Sequence, residues 1–172
     1  PNFTFWKSKT NNVLILSEFS KKINSAELRV KVLDIQETKT VFESEYTFDF
    51  RNQRRVGHRV ANDIYQSLMK QESIFQSRIV FVSDKIGTRR KPVKELYIMD
   101  FDGRGIERLT YHHANVISPA ISHDKTKVLY SLIKEKRGKR NIDLYLMDLN
   151  TRKSRLISSR PGMNSGAIFM KG

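Results

Sequence analysis

An α+β amino-terminal domain (antiparallel strands plus a helix) followed by a partial all-β propeller is the fold class this sequence predicts. Three observations carry that expectation. Leu96-Tyr97-Ile98-Met99-Asp100 returns as Leu144-Tyr145-Leu146-Met147-Asp148, 48 positions later. Other segments repeat in the same order: Ile79-Val80-Phe81 with Val128-Leu129-Tyr130 at an offset of 49, and Arg108-Leu109 with Arg155-Leu156 and Ser118-x-Ala120-Ile121 with Ser165-x-Ala167-Ile168, both at 47. Ahead of the repeats, apolar residues alternate with a period of two and then switch to helical spacing. Several short strands per copy, at a period near 48, read as propeller blades. An ordinary β-sandwich gives no reason for three segments to recur in order.

The first domain is placed at residues 1–76. Val13 to Phe19 reads as a continuous apolar strand. Leu28, Val30 and Val32 alternate with Arg29 and Lys31, and Phe42 to Phe50 alternates in the same way, so each strand buries one face. Gln36 to Lys39 is the polar turn of a hairpin between them. Val56, Val60, Ala61, Ile64 and Leu68 then fall on one side of a helix expected from about residue 53 to 69. Phe3, Phe5 and Trp6 read as the end of a further element. Lys70 to Gln76 links to the second domain, residues 77–172, the first one to two blades. Its strands are Ile79–Ser83, Glu95–Asp100, Ile106–Thr110, Val116–Ser122 and Val128–Leu132, with a turn at Asp102-Gly103.

With 172 residues the chain can hold one sizeable core or two small ones. The second copy stops within Ala167-Ile168-Phe169-Met170, and closed propellers have at least about four blades. The chain is therefore expected to be a piece of a longer protein. Its open strand edges are expected to promote self-association, or poor ordering near residues 160–172. No apolar run approaches the roughly 20 residues of a membrane-crossing helix, so no transmembrane segment is expected. Cysteine is absent, which removes disulfides, thiolate metal sites and Cys nucleophiles.

Catalytic and metal signatures are weak, and neither catalytic residues, a metal nor a cofactor is expected. No Gly-x-Ser-x-Gly elbow occurs. Asp100-x-Asp102-Gly103 lacks the remaining acids of a calcium loop and is explained as a hairpin turn. His112 and His113 are adjacent and would face opposite ways in a strand, with no third ligand at useful spacing. Charge is the stronger signal: 32 Lys and Arg stand against 18 Asp and Glu, a net +14. The repeat places Lys85–Lys94 and Lys134–Arg140 in equivalent loops of successive blades. Arg89, Arg90, Lys91, Arg137, Lys139 and Arg140 are thus candidate polyanion-facing residues, with an anionic envelope polymer as one partner. No aromatic residues interleave them, which disfavours nucleic acid.

The run Arg59-Val60-Ala61-Asn62-Asp63-Ile64-Tyr65-Gln66-Ser67-Leu68, then Phe75 to Ser83, Glu95 to Gly103, Leu109-Thr110 and Ser118-Pro119-Ala120, resembles the TolB family, the periplasmic propeller proteins of the Tol-Pal system of Gram-negative bacteria. The resemblance covers the whole chain. Two segments depart from the family pattern. Ser122-His123-Asp124-Lys125-Thr126-Lys127 stands where the family has Ser-Pro-Asp-Gly-Lys. Met163-Asn164-Ser165-Gly166-Ala167-Ile168-Phe169 stands where it has His-Asn-Gly-Ala-Pro-Ala-Phe, matching at Asn164, Ala167 and Phe169 and lacking the His.

The resemblance implies a non-enzymatic periplasmic interaction component that docks a Pal-like peptidoglycan-associated lipoprotein at the propeller mouth. It would maintain outer-membrane integrity and support cell division. His113, Asn115, Met163, Asn164 and Gly166 would lie at that mouth. A TolA-like protein would be met through a segment this chain does not contain. The alternative is a propeller accessory domain of a serine peptidase of prolyl-oligopeptidase or tricorn type.

Overall fold

Opposite charges set directly across from one another mark the wet face of the first sheet, and β-branched residues between them mark its dry face. The computed structural model describes residues 2–7, 12–136 and 138–170, and divides into two compact units, Pro1–Ser77 and Arg78–Gly172. In the first unit, β1 (Val13–Lys21), β2 (Ala26–Asp34) and β3 (Lys39–Phe48) form an antiparallel sheet in the order β1-β2-β3. Arg29 lies opposite Glu45 and Lys31 opposite Glu43, each pair 3.0 Å apart. Val30 and Val32 point the other way and are buried. The turn after β2 is closed by Glu37 N donating to Asp34 Oδ1 at 2.8 Å.

A short helix, α1 (Phe3–Lys7), stands where the sequence suggested an element's end. The second helix, α2 (Gln53–Met69), matches the expected span. A single 3₁₀ turn, Phe50–Asn52, leads into it, and the Asp49 carboxylate caps that turn by accepting from Arg51 N at 2.8 Å. Lys70, in the left-handed region at φ 55°, ends the helix, and its N–H donates to Gln66 O at 3.0 Å. Val56, Val60, Ile64 and Leu68 pack against Val30, Val32 and Tyr46. The Tyr46 hydroxyl donates to Asp63 Oδ2 at 2.8 Å, tying β3 to α2. Burial and that bond push the Tyr46 pKa up to about 12. The apolar run Val13 to Phe19 forms β1 as expected; it is an edge strand, and Ile15 and Phe19 are 50% and 60% exposed.

The second unit is a partial propeller of two antiparallel sheets. β4 (Arg78–Ser83), β5 (Glu95–Asp100) and β6 (Glu107–Arg108) form one, in that order. The other holds β7 (Asn115–Ile121), β8 (Lys127–Lys136), β9 (Lys139–Asp148) and β10 (Ser154–Ser158), in the order β10-β9-β8-β7. The two central hairpins share one register. Phe81 faces Tyr97 as Tyr130 faces Tyr145, and Ile79 faces Met99 as Val128 faces Met147. Both aromatic pairs stack, with ring centroids 5.7 and 5.5 Å apart. Leu96, Ile98, Leu109, Val116, Val128, Tyr130, Leu132, Met147 and Leu149 form one core across the two sheets.

Two offsets need correction. Arg108 sits opposite Tyr97, but it is Leu156, not Arg155, that sits opposite Tyr145, an offset of 48 rather than 47. The two turns also differ in length: Asp100 N reaches Arg104 O, whereas Asp148 N reaches Lys153 O, one residue farther. Likewise Ser118 (φ 51°) corresponds to Gly166 (φ 73°), again at 48. The offset of 47 aligns similar residue types at non-equivalent positions.

Tyr46→Phe removes the donor to a half-buried carboxylate. The first unit should lose about 1 kcal/mol, read by urea denaturation. An unchanged midpoint would show that Asp63 finds water instead.

Candidate functional site

Each blade is fastened to the next where the chain re-enters the propeller, and every predicted partner-binding residue lies there. At the first junction Lys94 and Asn115 form a parallel bridge. Val116 N donates to Lys94 O at 2.8 Å, and Lys94 N donates to Asn115 Oδ1 at 3.1 Å. Forty-eight residues on, Ile142 and Met163 form the same bridge, and Asn164 N donates to Ile142 O at 3.0 Å. The Asn164 amide nitrogen donates to Ile142 O and Arg160 O, both at 2.8 Å, and its oxygen accepts from Ser158 Oγ at 2.6 Å. Ser131 Oγ closes the set by donating to Asn164 O at 2.9 Å.

Beside each clasp lies a buried acid, which sequence reasoning missed. Glu95 has no exposed surface. It accepts from Arg108 Nη2 at 3.0 Å, from His113 N at 2.7 Å and from the Thr110 hydroxyl. Burial pushes its carboxyl up, but the Thr110 hydroxyl, the His113 and His112 amides and the Arg108 guanidinium outweigh that and hold it below its ordinary 4.5. The counterpart Asp143, also buried, accepts from Asn141 Nδ2 at 2.6 Å and pairs with Lys134 Nζ at 2.9 Å. A signal was present: both acids directly precede the repeated Leu-Tyr-x-Met-Asp stretch. Between the acids, His112 Nε2 lies 2.9 Å from the Tyr130 hydroxyl, which donates to Ser154 Oγ at 3.0 Å. Burial, with a smaller contribution from Lys134, pushes the His112 pKa down from 6.5 against the pull of Glu95.

The predicted residues divide by role. Asn115 and Asn164 are half-buried, and their side-chain hydrogen bonds hold the clasps. His113 is exposed at φ 54°, a conformation that aims its N–H at Glu95. Gly166 is exposed, and its φ of 73° suits glycine. Met163 is 76% exposed on a pinned backbone.

The basic residues divide similarly. Arg89 and Arg90 occupy the corners of a tight turn closed by paired Thr88 and Lys91 backbone bonds of 3.0 and 3.1 Å. Arg89, Arg90 and Lys91 are exposed and make no ion pair among the described residues. The second cluster is not a loop like the first but the end of the β8–β9 hairpin, with Lys136 opposite Lys139. There Lys134 is held by Asp143 and by the Tyr145 hydroxyl at 2.5 Å, and Arg140 lies 3.8 Å from Glu135. Lys139 is exposed, and Arg137 lies outside the described residues.

The acid–glycine segment at Asp100–Gly103 is a turn: Gly103 N donates to Asp100 O at 3.0 Å, and Arg104 N to Asp102 Oδ1 at 3.1 Å. Among the described residues no group of three or more His, Asp or Glu is placed to hold a metal ion.

Glu95→Ala leaves Arg108 beside an emptied, buried acceptor site. The second unit should lose about 3–5 kcal/mol, read by denaturant unfolding. Acid should act in the same direction. A carboxyl whose folded pKa is lowered contributes stability that is complete above 4.5 and lost as pH falls through the lowered value. His112, also lowered, adds a loss that begins below 6.5, because the unfolded chain takes up the proton first. Thermal melting across that range should show two steps, and His112→Gln should abolish only the upper one.

A family model described as the TolB beta propeller domain matches residues 65–170. The Tol-Pal system protein TolB of Orientia tsutsugamushi (strain Boryong) is 30% identical over 132 residues, which is 76% of this chain and 29% of that protein. Its counterpart in Ruegeria sp. (strain TM1040) is 35% identical over 133 residues, 76% of this chain and 30% of that protein. The chain thus spans under a third of the length of these curated relatives. A crystal structure of TolB from Acinetobacter baumannii superposes with a TM-score of 0.68 at 19% identity, over 98% of this chain and 52% of that one, which speaks to the fold. With two blades in common register and a matched segment covering most of its length, this chain belongs to the TolB family.

Proposed function

We propose that this chain acts as a non-enzymatic, periplasmic interaction component of the Tol-Pal system, docking a Pal-like lipoprotein at the propeller. In that role it would help maintain outer-membrane integrity and support cell division. The observation that carries the reading is Met163, a large apolar side chain 76% exposed on a backbone already fixed by the clasp at Ile142. An anchor on a pre-ordered backbone loses little conformational freedom on binding, and a few such residues dominate interface energy. Asn115 occupies the corresponding place on the preceding blade, with His113 two residues before it, and Asn164 and Gly166 shape the backbone around Met163. Arg89, Arg90, Lys91, Lys139 and Arg140 would face an anionic partner surface or envelope polymer. Arg137 would belong to the same group by its sequence position. Exposed charge of this kind raises association rate more than final affinity.

The test is titration of this chain with the soluble domain of a Pal-like lipoprotein. Met163→Glu should raise Kd at least about tenfold with an unchanged melting temperature. Arg89→Glu combined with Arg90→Glu should instead slow association and flatten its salt dependence. Equal affinity for the wild type and Met163→Glu would reject the docking site.

A further inference from the structure

The propeller unit carries its excess charge at one end. Antiparallel strands send every second connection out on the same side of a sheet. The parallel bridge between Lys94 and Asn115 sets β5 and β7 running the same way, which matches the ends of the two sheets. The connections β4–β5, β6–β7 and β8–β9 therefore share the end at which β5 and β7 begin. The connections β5–β6, β7–β8 and β9–β10 share the other. Counted with the strand residue on either side, the first three are residues 83–95, 108–115 and 136–139, with nine Lys and Arg against two acids. The second three are residues 100–107, 121–127 and 148–154, with five against five. One end is neutral and the other strongly cationic.

At the cationic end the β4–β5 loop is exposed yet held in shape. Lys85, Arg89, Arg90, Lys91 and Lys94 are all exposed, and none has an ion pair among the described residues. Of the two acids at this end, Glu95 is buried and committed to Arg108. Gly87 N donates to Asp84 O at 2.7 Å, and a Cβ at Gly87 would come within 2.6 Å of Val93 N, so the loop folds tightly onto buried Val93. Apolar groups stand among the cations. Ile86, next to Lys85, is 40% exposed. Tyr111, on the next connection, is 66% exposed and lies beneath the Arg108 guanidinium, 4.2 Å from ring centre to carbon.

We propose that this end rests on an anionic phospholipid surface, with Lys85, Arg89, Arg90 and Lys91 against the phosphates and Ile86 and Tyr111 in the boundary between headgroups and acyl chains. The mixture of groups selects the partner. A soluble anionic polymer would engage the cations and leave Ile86 in water, whereas a headgroup layer accommodates both. A loop already fixed by its own hydrogen bonds loses little freedom on contact. The contact is peripheral, since no helix among the described residues is long and apolar enough to cross a membrane. It rests on the reading that the basic loops face an anionic surface, and it needs no lipoprotein.

The test is co-sedimentation of the full chain with vesicles of phosphatidylcholine, alone or mixed with phosphatidylglycerol, beside titration with soluble polyglutamate. The chain should bind the mixed vesicles, release them as salt rises and ignore the neutral ones. Arg89→Glu combined with Arg90→Glu should lower vesicle binding at least about tenfold. Arg104→Glu combined with Lys125→Glu makes the same change in net charge at the neutral end and should leave binding unchanged. Ile86→Ser should lower vesicle binding at least about threefold and leave polyglutamate binding as it was. Should that variant fail to fold, Tyr111→Ser should show the same contrast. Binding to polyglutamate without binding to mixed vesicles overturns the membrane contact and leaves the basic-loop reading standing, and binding to neither overturns both. Equal losses from the two pairs of reversals would trace binding to net charge and overturn the sidedness. Full vesicle binding by both Ile86→Ser and Tyr111→Ser also overturns the proposal, because charge alone would then suffice.

Discussion

The hydrogen bond from Val116 N to Lys94 O, with the buried Glu95 carboxylate beside it, is the constraint around which the propeller unit is arranged. A carboxylate removed from water costs several kcal/mol unless its lone pairs are filled. Filling them dictates the course of the whole return loop. Thr110 must bring its hydroxyl inward, Arg108 must lie across it, and His113 must take a left-handed conformation to present its N–H. Once those residues are placed, Asn115 reaches Lys94 and β7 begins in register. The apolar core then packs against a strand already positioned, so the polar junction sets geometry while burial of Leu96, Val116, Val128 and Tyr130 supplies most of the free energy.

The second blade reaches the same clasp with different chemistry, which separates the constraint from the particular residues. Asp143 is one methylene shorter than Glu95 and is satisfied from its own hairpin by Asn141 and Lys134 rather than from the return loop. The return loop must therefore be fixed otherwise, and Asn164 does this through three side-chain hydrogen bonds. What is common to the two blades is backbone: the parallel bridge, the donor at Val116 and Asn164, and the positive φ two residues later. Side chains at the junction are free to differ as long as some combination holds that path.

This distinction accounts for what could be read from the sequence. The repeat, the α2 face of Val56, Val60, Ile64 and Leu68, and the alternation about Val30 and Val32 were legible because burial is periodic in residue type. The offset of 47 was misleading because Ser165 and Ala167 resemble Ser118 and Ala120 in type, whereas equivalence is set by φ and hydrogen bonds, which composition does not display. β1 has an apolar sequence but an edge position, and strand order is a property of the sheet rather than of any one strand. Lys134 looked like a member of a basic rim because the acid that claims it, Asp143, lies nine residues on, opposite Leu132 in the hairpin. Met163 was found through family resemblance, but its fixed backbone is visible only in the bridge to Ile142.

The second unit holds 20 Lys and Arg against nine Asp and Glu, a net +11 of the chain's +14. Several of those nine acids are committed to structure. Glu95 and Asp143 are buried, Asp124 is engaged with Ser122 and Thr126 and held down at about 2, and Asp148 caps the turn at Asn150 and Thr151. A carboxylate inside a turn or a core is not at hand to neutralise a guanidinium at a hairpin tip. Arg89 and Arg90 project from the turn between Thr88 and Lys91 with no acid paired to them among the described residues, and with screening over about 8 Å at physiological salt they reinforce one another locally. The uneven charge is set by composition, while the ion pairs of Glu95 with Arg108 and Asp143 with Lys134 decide which cations remain for an approaching anionic surface.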